Sequence, residues 1–451
     1  MIHAFSYTHK GNKLYFLWDI ESGSLLCVDY PAFLFVKKRY NIDLSSLELA
    51  DFNSISTSSI LELENEIVEL EESGELNAKR QYSFHSKRLG SVKAICLHVC
   101  HDCNMRCDYC FADGGSYHCE RDRMSMSVGK AAIDFLIKNS KTKHLEVDFF
   151  GGEPLLSLNT VKEIVEYGKE KAKLSNKEIL FTLTTNCVLM NLEAINYLNC
   201  EMSNVVLSID GRKAVHDGVR RLLNGNESYE IAIKNAKAFK DIRGDKSYYV
   251  RGTFTSQNLD FADDILELER QGFDKISIEP VVLPSDHKLA IKEEHLSDIC
   301  AEYERFSEIY IDRVNNKKHL TFFHFELDLR HGPCIEKRLT GCGAGTEYFA
   351  IAPNGEVYPC HQFVGKREYL MGTVFDGVLE KSIMERFSVI NVLTKDHCKG
   401  CVAKYHCGGG CIANALNATG DLNGQFKIGC EMLKKRFEIA LALAYLKKDK
   451  K

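Results

Sequence analysis

The sequence predicts an α/β protein, either an open doubly wound sheet or a partial (βα) barrel, preceded by a small β-sheet module and followed by a cysteine-rich block. Three observations carry this. Strand and helix patterns alternate from about Val92 to Asn315, residues 1 to about 90 open on short β-rich runs without a cysteine cluster, and most of the eighteen cysteines gather into two groups.

A chain of 451 residues is long enough for two or three domains around a sizeable core. Its 45% hydrophobic and 27% charged residues are those of an ordinary soluble globular protein. A net charge of −5 argues against a nucleic-acid binder driven by phosphate neutralisation. No membrane partner is expected either, because the run Ile439 to Leu446 is too short to span a bilayer. The first residues, Met-Ile-His-Ala-Phe-Ser-Tyr, lack the cationic start and apolar stretch of a signal peptide. The expected compartment is therefore cytoplasmic, where thiols stay reduced and so many of them point to metal rather than disulfides.

In the N-terminal module the expected strands are Ile2 to Thr8, Lys13 to Ile20 and Leu25 to Asp29, with Gly11-Asn12 and Glu21 to Ser24 supplying the turns. Pro31 opens a helix through Tyr40, and Ser56 to Ser59 cap another that runs to Gly74. Six strands are then expected at Val92–Val99, His144–Phe150, Ile179–Thr185, Asn204–Ile209, Tyr248–Thr255 and Lys275–Val282. Helical spacing fills the gaps, as at Ser127–Asn139, Leu158–Lys173 and Leu259–Gln271. Such units place the site at the C-terminal ends of the strands.

The loop after the first strand holds Cys103, Cys107 and Cys110 at CxxxCxxC spacing. Three thiolates suit three corners of a cuboidal iron–sulfur cluster and leave one iron open. A four-ligand zinc site completed by Cys100, Cys96 or His101 is the competing reading. After the second strand comes Phe150-Gly151-Gly152-Glu153-Pro154, where two glycines allow close backbone approach and a carboxylate suits an ammonium group. The same string also reads as a plain strand-to-helix turn.

The cysteine loop with Tyr109 before its last cysteine, and Gly-Gly-Glu-Pro one βα unit later, resembles the radical S-adenosylmethionine (SAM) superfamily. The resemblance implies a partial (β/α)6 barrel in which Cys103, Cys107 and Cys110 hold a [4Fe–4S] cluster that chelates SAM. It implies that Gly151, Gly152 and Glu153 contact the SAM amino group. Thr185-Asn186 fits a third loop, although Cys187 stands where the family often has glycine. Ser208-Ile-Asp210-Gly211 with His216-Asp217-Gly-Val-Arg220 is similar to the segment that reaches the SAM ribose and carboxylate, through Ser208 and Arg220 in particular.

The C-terminal block reads Cys342-x12-Gly355-x4-Cys360, then Cys398-x2-Cys401-x5-Cys407-x3-Cys411, then Cys430. Zinc ribbons also use CxxC pairs. The full arrangement resembles the SPASM extension of radical SAM enzymes, which implies two auxiliary [4Fe–4S] clusters and three clusters in all. Cys398, Cys401, Cys407 and Cys430 would ligate the distal one, and Cys342, Cys360 and Cys411 the nearer one. Cys334 either completes the near set or leaves an iron open to a substrate thiolate. Gly408-Gly409-Gly410 would let amides approach cluster sulfurs. Cys27, Cys187, Cys200 and Cys300 are expected to be buried small hydrophobes and Cys96 to face the barrel interior. Cys100, Cys119, His98, His101 and His361 stay unassigned.

The N-terminal module resembles the winged-helix-like peptide-recognition element of enzymes that modify ribosomally made peptides, with a packing cap as the plainer alternative. Domains at 1–90, 91–320 and 321–451 then describe a chain that resembles the thioether-forming maturases of Cys-rich peptides, most like those of six-cysteine SCIFF peptides. This implies reductive SAM cleavage to a 5′-deoxyadenosyl radical, hydrogen abstraction from a precursor peptide bound through its leader, and intrapeptide Cys thioether crosslinks. It also implies a reduced electron donor such as flavodoxin or ferredoxin. The rival expectations are a sulfatase maturase, a peptide oxidase or epimerase, and a zinc-binding module without enzymatic activity.

Overall fold

The computed structural model describes residues 1–79, 91–327, 329, 335–377 and 379–447. The expected boundary near residue 90 and the expected ligand Cys334 fall outside these residues.

The N-terminal module is a three-stranded antiparallel sheet of β1 (Ile2–His9), β2 (Asn12–Asp19) and β3 (Leu25–Val28) in that order. Lys10 and Gly11 join β1 to β2 at φ of 50° and 80°, the backbone a two-residue hairpin demands. Helix α1 (Tyr30–Arg39) starts where the Asp29 carboxylate accepts the Ala32 N–H at 2.9 Å. α2 (Ser46–Asn53) and α3 (Thr57–Glu72) follow. α2 was not among the expected elements, because none of its side chains is fully buried and no apolar stripe marks it. Its start is nonetheless written in the Ser45–Glu48 capping box.

Strand β2 buries both faces, and this decides how the module sits. Leu17 packs with Leu34, Val36, Ile67 and Leu76 in the module's own core, whereas Phe16 and Trp18 point the other way into the main core. Tyr7 on β1 donates to Glu308 at 2.9 Å and lies 2.7 Å from the Ser307 hydroxyl. The sheet is therefore docked along one whole face.

The remaining strands are β4 (Ala94–Cys100), β5 (Met105–Cys107), β6 (His144–Gly151), β7 (Glu178–Thr185), β8 (Asn204–Ser208), β9 (Arg220–Leu222), β10 (Tyr248–Phe254), β11 (Lys275–Pro280), β12 (Thr321–Phe322), β13 (Tyr348–Ile351) and β14 (Val357–Tyr358). The main sheet runs β12-β11-β10-β8-β7-β6-β4-β13-β14, parallel throughout except for β14. Its six central strands are the six expected, and its edges do not meet, so it is a partial barrel. α4 (Met126–Lys138), α5 (Leu158–Leu174), α6 (Leu192–Glu201), α7 (Lys213–Val219), α8 (Tyr229–Arg243), α9 (Phe261–Arg270) and α10 (Leu296–Asn315) fill the crossovers. Alternation on β6 explains the layering: Leu145, Val147 and Phe149 are fully buried, while Glu146, Asp148 and Phe150 take the other face.

The sheet is wider than the sequence suggested. β12, β13 and β14, which fall within residues assigned to the cysteine-rich block, have only two to four residues each and too little pattern to announce a strand. Cys200 also departs from expectation: near the end of α6 it is exposed, not buried. No helix among the described residues is long and apolar enough to cross a membrane.

Phe16 is fully buried, stacks on Phe5 at 5.2 Å and meets the edge of Tyr445 at 5.4 Å. Phe16→Ala is expected to cost about 3–5 kcal/mol, read by urea unfolding, and to expose the β1–β2 hairpin to limited proteolysis.

Candidate active site

Two sets of backbone pairs hold the first cysteine loop. On one side Gly152 N–H donates to Cys100 O at 3.0 Å, Glu153 N–H to Asp102 O at 2.9 Å, and the Tyr117 hydroxyl to Gly151 O at 3.0 Å. On the other, β5 pairs antiparallel with β9, setting Cys107 opposite Arg220, and Asp108 N–H donates to Val219 O at 2.8 Å. The close approach explains the glycines: a Cβ on Gly152 would lie 1.9 Å from Asp102 O. Cys100 is excluded from the thiol set, because its Sγ–H donates to the Glu153 and Asp102 carbonyls at 3.1 and 3.4 Å. Cys96 is fully buried beside Tyr348.

Burial pushes the Cys103 thiol up to about 12 and the Cys107 thiol to about 11, the latter against the pull of Arg220. Thiolates here would be buried anions, stable only beside a cation that takes the place of their protons. A metal cluster meets that requirement, and the donor set fits it.

Glu153 is buried at the ends of β6 and β7, its carboxylate accepting from Leu155 N–H (3.1 Å), the Thr185 hydroxyl (2.8 Å) and Asn186 N–H (2.8 Å). Burial still lifts it to about 7. Asn186 donates through Nδ2 to the Cys103 sulfur at 3.8 Å and to Asn104 Oδ1 at 2.8 Å. The next residue, Cys187, has φ of 68°. That is the left-handed conformation glycine adopts without strain, so the one mismatch in this loop keeps the backbone a glycine would have.

Tyr109, Asp210 and Arg220 form a buried chain. Arg220 Nη1 donates to the Tyr109 hydroxyl at 2.8 Å, which donates to Asp210 Oδ2 at 2.5 Å, while Asp210 Oδ1 accepts Thr253 N–H at 3.0 Å. Arg220 and Asp210 lie 3.9 Å apart. Burial works against the Arg220 charge, but Tyr109, Cys107 and Asp210 outweigh it. Arg220 Nε is buried without a hydrogen-bond partner, an open donor at the site. Asp210 does not line the cavity; it stands behind Tyr109.

The C-terminal cysteines lie in two groups. Cys342, Cys360 and Cys411 interact electrostatically with one another, and so do Cys398, Cys401, Cys407 and Cys430. Burial raises Cys360 and Cys398 to about 12. Gly408, Gly409 and Gly410 all have positive φ, and the Gly409 and Gly410 amides donate to the Cys407 sulfur. Among the described residues no three Cys, His, Asp or Glu side chains converge tightly enough to close around a single ion.

One cavity of about 720 Å³ joins these parts. Its wall carries Cys103, Cys107, Tyr109, Cys110, Gly151, Gly152, Glu153, Asn186, Ser208 and Arg220 at one end and Cys407, Cys411 and Cys430 at the other. Sequence reasoning missed the polar floor of Arg251, Thr253, Glu279, His361 and Arg436. The signal was available in β10, where Tyr249, Arg251 and Thr253 alternate with buried Tyr248, Val250, Gly252 and Phe254. Burial would raise Glu279, but His324 at 3.2 Å, Arg436 and Arg251 hold it well below the usual carboxylate range.

Residues 97–278 match the radical SAM superfamily model, and residues 342–402 match SPASM, an iron–sulfur cluster-binding domain. The radical SAM cyclopropyl synthase TigE of Paramaledivibacter caminithermalis is 25% identical over 414 residues, 85% of this chain and 83% of its own. The solved structure of anSMEcpe with bound AdoMet and Cp18Cys peptide superposes with a TM-score of 0.65 at 19% identity, covering 79% of this chain and 99% of that one. Streptococcus suis SuiB bound to its precursor peptide SuiA covers 94% of this chain and 98% of its own, at a TM-score of 0.55 and 18% identity. The fold is the radical SAM α/β fold with a SPASM domain.

Gly152→Ala is expected to push the cysteine loop off its backbone pairs, and iron analysis after reconstitution should show less bound iron than in wild type. Glu153 binds its proton more tightly folded than unfolded, so its contribution to stability is complete below its unfolded value near 4.5 and disappears as pH rises to about 7. In metal-free protein, the stability difference should therefore move in favour of Glu153→Gln by on the order of 3 kcal/mol between those limits, measured by urea unfolding at each pH.

Proposed function

We propose that this chain is a radical SAM peptide maturase that installs Cys thioether crosslinks in a ribosomally made, Cys-rich precursor peptide. The observation that supports it most is the single cavity connecting the CxxxCxxC loop to the distal cysteine sets, wide enough for a small cofactor and a peptide segment together. A module whose edge strand β3 has no further strand partner among the described residues stands on the same chain, and edge-strand addition is a common way to hold an extended peptide. The relatives that carry both domains include one captured with its precursor peptide.

When bound, the [4Fe–4S] clusters and SAM supply the one-electron chemistry, reductive cleavage to a 5′-deoxyadenosyl radical and hydrogen abstraction. The chain's own part is to bind, orient and exclude water. Arg220, charged and with Nε free, and Ser208 beside it offer donors to a carboxylate or ribose. Glu153 and the carbonyls around Gly151 and Gly152 offer acceptors to an ammonium group. Phe111, Phe150, Val206, Tyr249 and Val281 dry the space between the two ends, which protects a reactive species from solvent. In the near set, Cys342, Cys360 and Cys411 are three thiols, and the fourth position falls either to Cys334, which lies outside the described residues, or to a peptide thiolate. Each bridge then joins sulfur to carbon with loss of two hydrogens from the peptide, one as an atom and one as a proton whose electron passes to the enzyme.

Anaerobically reconstituted protein is expected to be brown with about twelve irons per chain, against a colourless zinc protein. The Cys103→Ala, Cys107→Ala, Cys110→Ala triple variant should keep about eight irons and make no 5′-deoxyadenosine; continued SAM cleavage by it would overturn the assignment. Incubating a Cys-rich peptide encoded next to the enzyme with SAM and reductant should lower its mass by two hydrogens per bridge. A single oxidised residue with every other cysteine still alkylatable would indicate a sulfatase-maturase-like or other oxidase activity instead.

A further inference from the structure

The turn between β2 and β3 reaches the loop that carries two distal cysteines. Lys404, Tyr405 and His406 lie between Cys401 and Cys407, and all three face the N-terminal module. Lys404 Nζ donates to Glu21 Oε1 at 2.6 Å and the Tyr405 hydroxyl to Glu21 Oε2 at 2.9 Å. Both ends of the ion pair are largely shielded, with 7% and 14% of the Lys404 and Glu21 side chains exposed. Trp18, the only tryptophan of the chain, meets the His406 ring edge-on at 5.8 Å and Phe437 at 5.7 Å. Phe437 and Glu438, the partner of His3 at 2.8 Å, belong to the helix Lys427–Leu446 that bears Cys430. The module thus grips both segments from which Cys401, Cys407 and Cys430 project.

A pair of charges this shielded adds little net stability, because desolvation offsets most of their attraction; what it supplies is fixed geometry. We propose that Glu21 and Trp18 are positioning residues for the distal cysteine set, so that the edge-strand module and the auxiliary cluster are mechanically coupled. The proposal rests on reading Cys398, Cys401, Cys407 and Cys430 as one ligand set. Coupling of this kind is reciprocal: filling the cluster must steady the turn Asp19–Ser24 and the edge strand β3 that follows it, and a peptide added to β3 must act back on the cluster.

Hydrogen exchange on the full chain, metal-free and reconstituted, tests this together with the electron paramagnetic resonance spectrum and iron count. Cluster loading should slow exchange across residues 19–28 at least tenfold in wild type and in Tyr7→Phe, which loosens the same docking face on α10 without touching the distal cysteines. In Glu21→Gln the slowing should be lost and the signal of one auxiliary cluster should shift at unchanged iron content, and Glu21→Lys combined with Lys404→Glu should restore both. Equal protection and an unchanged spectrum in Glu21→Gln would overturn the proposal. Should wild type take up only about eight irons, the ligand reading fails on its own. Exchange across residues 399–408 in metal-free protein then decides the positioning claim: faster in Glu21→Gln supports it, unchanged refutes it.

Discussion

The position of every group at the mouth of the barrel depends on a few backbone hydrogen bonds, those that clamp residues 100–108 between Gly152–Glu153 and Val219–Leu222. The clamp needs glycine on one flank, because any Cβ on Gly152 would strike the Asp102 carbonyl. On the other flank it needs an extended segment straight after α7, and this is why Arg220 stands opposite Cys107 rather than on the protein surface. Loops carrying chemistry are usually mobile; this one is held between two sets of main-chain pairs, with Tyr117 closing the end.

That rigidity sets the electrostatics. Thiols that are buried and raised are inert as thiols, and a guanidinium as buried as Arg220 is costly unless neighbours neutralise it. The chain resolves the second cost internally, through Tyr109 and Asp210. It leaves the first unresolved, so the loop is poised for a polycation of the right size. The same pattern repeats at the distal end, where Cys398 is raised by burial and Lys395 is the largest opposing influence.

Much of this was legible in the sequence because spacing and strand periodicity are local signals. The six central strands came out within two residues of the expected bounds, and the C-terminal thiols lie in two groups, the partition that the SPASM resemblance implies for them. What stayed hidden depends on pairing across long distances. β13 is four residues that become a strand only between β4 and β14, and Arg251 looks like one more strand residue until β10 is closed into a concave sheet. Asp210 reads as a contact residue from its motif, yet its carboxylate is engaged by Tyr109, a hundred and one positions earlier. Cys187 shows the converse: the side chain departs from the pattern while the backbone, at φ of 68°, keeps it.

The N-terminal module poses the hardest choice between packing and recognition, and β2 shows that close packing does not exclude recognition. A cap would need only one apolar face, and an independent recognition domain would keep its second face polar. β2 buries Leu17 inward to the module and Phe16 and Trp18 outward to the body, so neither half is complete alone. The sheet's two edges, β1 and β3, have no strand partner beyond β2 among the described residues. A rigidly docked sheet loses little further conformational freedom when a strand is added at an unpaired edge, which favours such binding over binding to a tethered domain.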